Sequence, residues 1–266
     1  MAGKLFDSHA HYYDARFREE TAGADGLLSE IFSGDVDRIV NVGTNPENNP
    51  VCLAMAQKYP GMFAAVGIHP EDSAAYDESA VGNFENFLCE HRDFRSEKIV
   101  AIGEIGLDYH YEPFDKEKQK FFFEEQLTLA LKYDLPVIVH DRDAHGDCFE
   151  TILRYPGVRG VFHSYSGSAE MAKELTRRGW YLSFSGVVTF KNANRVREVV
   201  ASVPHDRILA ETDCPYLAPH PMRGKINHSG YLHYTVAAIA EAIGKTPEET
   251  AVLTHDNADR LFGLSI

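Results

Sequence analysis

Basic residues are scarce in this 266-residue sequence: 26 Lys and Arg stand against 40 Asp and Glu, a net charge of −14. That balance argues against a protein that coats nucleic acid through a broad basic face. It leaves room for a local site where cations or a few arginines meet phosphate, and otherwise reads as an acidic soluble enzyme. Cysteine is scarce too. Cys52, Cys89, Cys148 and Cys214 are far apart, so neither a CxxC redox pair nor a zinc ribbon fits. Four thiols are also too few for a disulfide scaffold, which favours a reducing cytoplasm. No stretch of about 18 apolar residues exists, so no membrane span is expected. The opening MAGKLFDSHAH has no apolar run of signal-peptide length, so the expected location is cytoplasmic. No low-complexity linker divides the chain, and one domain over residues 1–266 is expected.

What the chain does have is a recurring shape. A short apolar, β-rich run leads into polar residues and then into an amphipathic stretch. Strand candidates begin near Leu5, Arg38, Phe63, Lys98, Leu135, Val158, Trp180 and Arg207. Each interval between them can hold a crossover helix, which parallel neighbours require. Two helices are clear. In Gln119–Lys132, Phe123, Leu127, Ala130 and Leu131 share a face at a period of 3.6. In Leu232–Ile243, Leu232, Val236, Ile239, Ala240 and Ile243 do the same. Gly244 stops that helix, and Thr246-Pro247-Glu248-Glu249 reads as the N-cap and first turn of another. Eight βα units in a chain of this length predict a (β/α)8 TIM barrel. An open doubly wound sheet is the alternative, but its Gly-rich phosphate loop after the first strand is replaced here by His-Ala-His.

The chemistry-bearing residues gather at strand ends. His9 and His11 close the first run, and His69 closes the third. Glu104 lies late in the fourth, His140 and His163 close the fifth and sixth, and Asp213 closes the eighth. A barrel brings those ends to one C-terminal mouth, where such folds place their active sites. His9 and His11 are two apart, so on a strand both rings face one side. A buried apolar strand that ends in histidine, such as Val137-Ile138-Val139-His140 or Val161-Phe162-His163, needs a hydrogen bond or a ligand for that ring. Taken singly, each is more often a satisfied core histidine; four histidines and two carboxylates at strand ends point to metal. Glu104, in Ala-Ile-Gly-Glu-Ile-Gly-Leu-Asp, needs a cation to offset its burial. Glu211 and Asp213 fall on one side of a strand at different depths. Asp213, nearer the mouth, is assigned to metal and catalysis, and Glu211 to fixing a histidine or Asp213 itself. Six ligands exceed one tetrahedral site, so two divalent ions bridged by Glu104 explain the count better than one. The donor set accepts zinc, manganese, magnesium, cobalt or nickel; magnesium is the usual nuclease ion, but four histidines are unusual for it.

These residues resemble the TatD family of metal-dependent hydrolases. The matching blocks are Asp7-Ser8-His9-Ala10-His11, Gly67-Ile68-His69-Pro70, Gly103-Glu104-Ile105-Gly106-Leu107-Asp108-Tyr109 and Pro136-Val137-Ile138-Val139-His140. His163-Ser164-Tyr165-Ser166-Gly167 and Glu211-Thr212-Asp213-Cys214-Pro215-Tyr216-Leu217-Ala218-Pro219 follow. Pro221-x-Arg223-Gly224-x-x-Asn227 and Asn257-x-x-Arg260-Leu261-Phe262 complete the series in family order. The resemblance implies a distorted TIM barrel, one or two divalent ions, and phosphodiester hydrolysis on DNA, typically as a 3′→5′ exonuclease. It implies His9, His11, Glu104 and Asp213 around one metal, and Glu104, His140 and His163 around the second. There are departures. The sixth block usually reads His-Cys-Phe-[Ser/Thr]-Gly, and Asn227 is usually followed by Glu and Pro rather than by His228-Ser229-Gly230.

The expected mechanism is hydrolysis by a metal-activated water, with Glu104 and Asp213 as catalytic carboxylates and Asp213 handling the proton. Arg223 is a candidate for a bidentate phosphate contact. His69 is a candidate substrate or leaving-group contact, and Tyr109 and Tyr165 are candidates for stacking on a terminal base. Each of these four also has an ordinary packing or surface role open to it. The net negative charge points to DNA ends or short single strands rather than long duplexes, with no membrane and no obligate protein partner. Three other readings remain open: an amidohydrolase acting on a small cyclic amide or ester, an RNA or aminoacyl-ester hydrolase, and a non-catalytic metal-binding barrel.

Overall fold

The computed structural model describes residues 3–19 and 23–264, with the side chains of residues 18 and 19 excepted. Eight strands alternate with helices: β1 Leu5–Ala10, β2 Val36–Val42, β3 Met62–Val66, β4 Ile99–Asp108, β5 Val137–Arg142, β6 Gly160–Phe162, β7 Tyr181–Phe184 and β8 Ile208–Ala210. They form one parallel sheet in chain order, which is the (β/α)8 class expected from the sequence. Every strand begins within two residues of its candidate start. Short runs of β-branched and aromatic residues bounded by turn residues are what makes strands legible. Among the described residues, no helix is long and apolar enough to cross a membrane.

The chain packs as two compact units, residues 1–41 with 163–266 and residues 42–162. In the first, β1 pairs with β2, β7 pairs with β8, and Ala10 bridges to Cys214 beyond the end of β8. Helices Leu232–Ile243 and Pro247–Phe262 cover these strands. The first buries Leu232, Val236, Ile239 and Ala240 as its pattern predicts, but Ile243, at its last turn, is only half-buried. The second begins with the expected cap: the Thr246 side chain accepts from Glu249 N, and the Glu249 carboxylate accepts from Thr246 N. Asn257, buried within it, donates to the carbonyls of His205 and Ile208 at 2.8 Å each and so ties the helix to the start of β8.

In the second unit β3, β4, β5 and β6 pair in sequence. The helix expected at Gln119–Lys132 spans Lys116–Tyr133. Its buried face corrects the expectation at one point: Phe123, Leu127 and Ala130 are buried, but Leu131 is 44% exposed. The helix instead buries two amides. Gln126 accepts from Ile68 N at 2.7 Å and donates to Ile68 O at 3.0 Å. Gln119 accepts from Asp108 N at 2.9 Å and donates to Asp108 O at 2.8 Å. Each amide therefore completes a strand end as a ladder partner would, and fixes the residues next to the site. Lys98 leads into β4 at φ 64°, and its ammonium closes the C-terminal end of the helix Asn49–Lys58, before β3, by donating to the carbonyls of Ala56, Tyr59 and Pro60.

Candidate metal centre

The first unit gathers one set of donors. His9 lies in β1 and His11 just past it, and both rings do face one side: their Nε2 atoms are 3.0 Å apart. Asp213 follows β8 by three residues rather than closing it, in the left-handed region at φ 55°. Asp tolerates that conformation better than most residues, and such backbone tends to be kept where function needs it. Asp213 Oδ1 lies 3.3 Å from His11 Nε2 and 3.8 Å from His9 Nε2. Bonds of about 2.0–2.1 Å to a tetrahedral ion place two ligand atoms about 3.4 Å apart. The three measured separations bracket that value, so the set fits a divalent ion. Burial pushes the Asp213 pKa up. Its hydrogen bond with His11 and the positive potential of His163, His9 and His11 outweigh that and hold it below the usual carboxylate range.

His163 follows β6 directly and stacks on His9, with ring centres 4.1 Å apart and planes at 12°. Glu211 lies beside it: its Oε1 is 3.4 Å from His163 Nδ1 and accepts from Ser164 N at 2.8 Å. Below the donors sits a carboxylate given no role from the sequence. Asp7 is fully buried in β1 and accepts from Thr212 N at 2.9 Å, Thr212 Oγ1 at 2.5 Å and Ser229 Oγ at 2.6 Å. It thereby fastens the segment that leads into Asp213. Burial raises its pKa to about 6, against the lowering effect of the Ser229 and Thr212 hydrogen bonds.

The second unit gathers another set, formed by His69, Glu104 and His140. Glu104 sits in the middle of β4 rather than late in it, because the strand continues to Asp108. Its Oε1 lies 2.8 Å from His140 Nδ1 and 3.5 Å from His69 Nε2. Gly106 makes the approach possible: at φ 138°, a Cβ there would lie 2.0 Å from the His140 carbonyl oxygen. His69 joins this donor group, where the sequence suggested only a substrate contact. Its Nδ1 accepts from Glu71 N at 3.2 Å, which leaves the ring proton on Nε2, the atom that faces Glu104. Nε2 is therefore the ring atom that His69 turns toward the Glu104 carboxylate, 3.5 Å away. His140 is held at its other nitrogen by Asp108, whose Oδ2 lies 2.7 Å from Nε2. Burial pushes the Asp108 pKa up, but hydrogen bonds from His140 and from His110 N hold it below the usual range.

The remaining candidates are placed differently. Arg223 is exposed, with its guanidinium carbon 4.1 Å above the Phe190 ring. Tyr109 stacks on Phe114, lies under the Lys116 ammonium, and donates its hydroxyl to Asp147 at 2.7 Å. Tyr165 is only 4% exposed and donates to Ser168 O at 2.8 Å, which is a packing arrangement. Asp7 and Asp108 were missed in the sequence, yet a signal existed. Asp7 precedes His9 by two residues and Asp108 follows Glu104 by four, so the period-two rule places each on its donor's face.

Comparison with known proteins agrees with this geometry. The model of a family described as TatD related DNase matches residues 6–263. YabD of Bacillus subtilis (strain 168), named an uncharacterized metal-dependent hydrolase, is 42% identical over 268 residues, covering 98% of this chain and 100% of that protein. YcfH of Escherichia coli (strain K12), named likewise, is 36% identical over 275 residues, covering 97% and 95%. The crystal structure of YJJV, a TatD homologue from Escherichia coli K12, superposes with a TM-score of 0.89 at 28% identity and covers both chains completely.

Proposed function

The chain belongs to the TatD related DNase family and is a metal-dependent hydrolase; we propose that it hydrolyses phosphodiester bonds of DNA, as a 3′→5′ exonuclease on ends and short single strands. The observation that carries this reading is the donor set His9, His11 and Asp213, spaced as ligands of one divalent ion are spaced. His163 lies against it in the first unit, and Glu104 with His140 supplies donors in the second. A divalent ion held by such residues lowers the pKa of a water and neutralises charge on phosphoryl oxygens.

The chain's own groups do the rest. Asp213 takes the proton of the attacking water and passes it to the leaving oxygen. His69 offers Nε2–H as a hydrogen-bond donor on the side of the substrate. Glu211 and Asp108 keep His163 and His140 in fixed orientation, which removes reorganisation from the chemical step. Arg223 contacts a phosphate from the loop after β8. The net charge of −14 favours strands that enter the site by an end over duplexes bound along their length.

The test is cleavage of a 5′-labelled single-stranded oligonucleotide titrated with Mg, Mn or Zn, with Asp213→Asn as control. A ladder shortening from the 3′ end is expected, reduced about 10²–10⁴-fold in the variant. Closed circular DNA cut as fast as the oligonucleotide would overturn the end-directed part. Turnover of a cyclic amide with no turnover of any oligonucleotide would overturn the whole reading.

A further inference from the structure

We propose that Arg142 and Tyr111 form the subsite for the phosphate and base of the strand next to the scissile bond. This deepens the reading above and rests on it. Arg142 is the last residue of β5, two beyond His140, so its side chain leaves the strand on the same side as that ring. In register it stands opposite Asp108, the carboxylate that holds His140. The guanidinium therefore emerges one step above the second donor set. Its carbon lies 4.7 Å from the centre of the Tyr111 ring, within cation–π range. Tyr111 itself is 59% exposed, a large aromatic surface on an acidic protein's outer face.

Arg142, like Arg223 on Phe190, sits over an aromatic ring, and it alone of the two lies on a strand that carries a metal-donor candidate. The aspartates closest to it in register and sequence, Asp108, Asp141, Asp143 and Asp147, each have another partner. Asp108 is taken by His140 and by His110 N, and Asp141 lies 2.8 Å from His145 Nδ1. Asp143 lies 2.7 Å from His110 Nδ1, and Asp147 binds the Tyr109 hydroxyl and the Lys120 ammonium. Among the described residues no carboxylate forms an ion pair with Arg142. By contrast Arg16, Arg38, Arg154 and Arg159 each pair with an Asp or Glu. In a chain with 40 acidic residues, an arginine beside the donor set that is stacked on tyrosine and left without a carboxylate is suited to an incoming anion. Its planar fork matches two oxygens of a phosphate, and the tyrosine face accepts a base without reading which one. The same pairing gives sequence-tolerant grip on a single strand.

The experiment compares wild type with Arg142→Ala, Arg142→Lys and Tyr111→Ala on two substrates across a salt series. One is a single-stranded oligonucleotide; the other is bis(4-nitrophenyl) phosphate, a diester with no neighbouring phosphate. Arg142→Ala is expected to raise KM for the oligonucleotide about tenfold or more. It should also lower the slope of log KM against log salt by about 0.7, the value for one phosphate contact on a single strand. Arg142→Lys should keep the salt slope and lose part of the affinity. Tyr111→Ala should raise KM several-fold with the wild-type slope. The ratio of kcat/KM between oligonucleotide and diester should fall about tenfold in Arg142→Ala. A wild-type slope in Arg142→Ala, or equal losses on both substrates, would overturn the subsite, since a structural role moves both alike. Wild type that fails on the oligonucleotide in every metal overturns the DNA reading instead, and that outcome appears before any variant is compared.

Discussion

Asp108 Oδ2 lies 2.7 Å from His140 Nε2, while Glu104 Oε1 lies 2.8 Å from Nδ1 of the same ring. The imidazole is thus fixed from both sides by residues four apart on β4. When one nitrogen serves a metal, the other donates to the remaining carboxylate, which sets tautomer and orientation together.

Replacing Asp108 by Asn keeps the shape and removes the charge that stabilises the His140 N–H. Losing the carboxylate that orients a metal-binding imidazole costs about 10–100-fold in metal affinity or activity. Metal titration of Asp108→Asn followed by an activity assay should show a loss in that range. Wild-type metal affinity in the variant would contradict the role.

Asp7 makes a different prediction because its partners are buried. Asp7→Ala leaves the Thr212 amide, the Thr212 hydroxyl and the Ser229 hydroxyl without their acceptor. Each unmet buried donor costs about 1–3 kcal/mol before relaxation. Denaturant unfolding should show a total loss of about 2–4 kcal/mol, allowing for partial repair. Folded protein should also bind metal more weakly, since Thr212 precedes Asp213 directly. A variant as stable as wild type would show that the carboxylate is not holding that segment.

Lys98 is expected to matter for stability through its ammonium rather than its stem. Lys98→Met keeps much of the chain's length and removes the donor to Ala56, Tyr59 and Pro60. Hydrogen bonds to a charged group contribute about 1.5–3 kcal/mol. A loss of that size in urea melts is expected, and an unchanged midpoint would contradict it.

His228 gives a pH signature. Burial holds its pKa below the usual histidine value. The unfolded chain therefore takes up this proton first as pH falls, and the stability the neutral ring contributes is complete above the unfolded pKa of about 6.5. It is lost as pH falls below that value toward the lower folded pKa. Melting temperatures between pH 8 and pH 5 should fall more steeply for wild type than for His228→Gln. Parallel curves would remove His228 from the account.

Much of this was legible in the sequence, for a physical reason. Strands that end in a functional residue carry their own punctuation: Val137 to His140 and Val161 to His163 each read as apolar run, then ring. The spacing of His9 and His11 fixed their common side, and the Thr246 box fixed a helix start. What stayed hidden depends on partners far apart in the chain. Gln119 and Gln126 sit on a buried helix face because each completes a distant strand end, which no local pattern encodes. Leu131 follows the helical period yet stays exposed, since periodicity gives a direction and not a neighbour. Asp7 and Asp108 obeyed the same two-residue rule as the histidines. Their meaning came only with Thr212 and His140 beside them.

The most direct test is metal content, measured by mass spectrometry on wild type and on Asp213→Asn, His11→Ala and Glu104→Ala, each after reloading with one metal and removal of excess. Wild type should retain divalent ion, and His11→Ala should lose it together with hydrolysis. Glu104→Ala should retain less divalent ion than wild type, since His140 then loses the carboxylate beside its Nδ1. Wild type that holds no ion after reloading, yet hydrolyses substrate at full rate in chelator, would contradict the account at its centre.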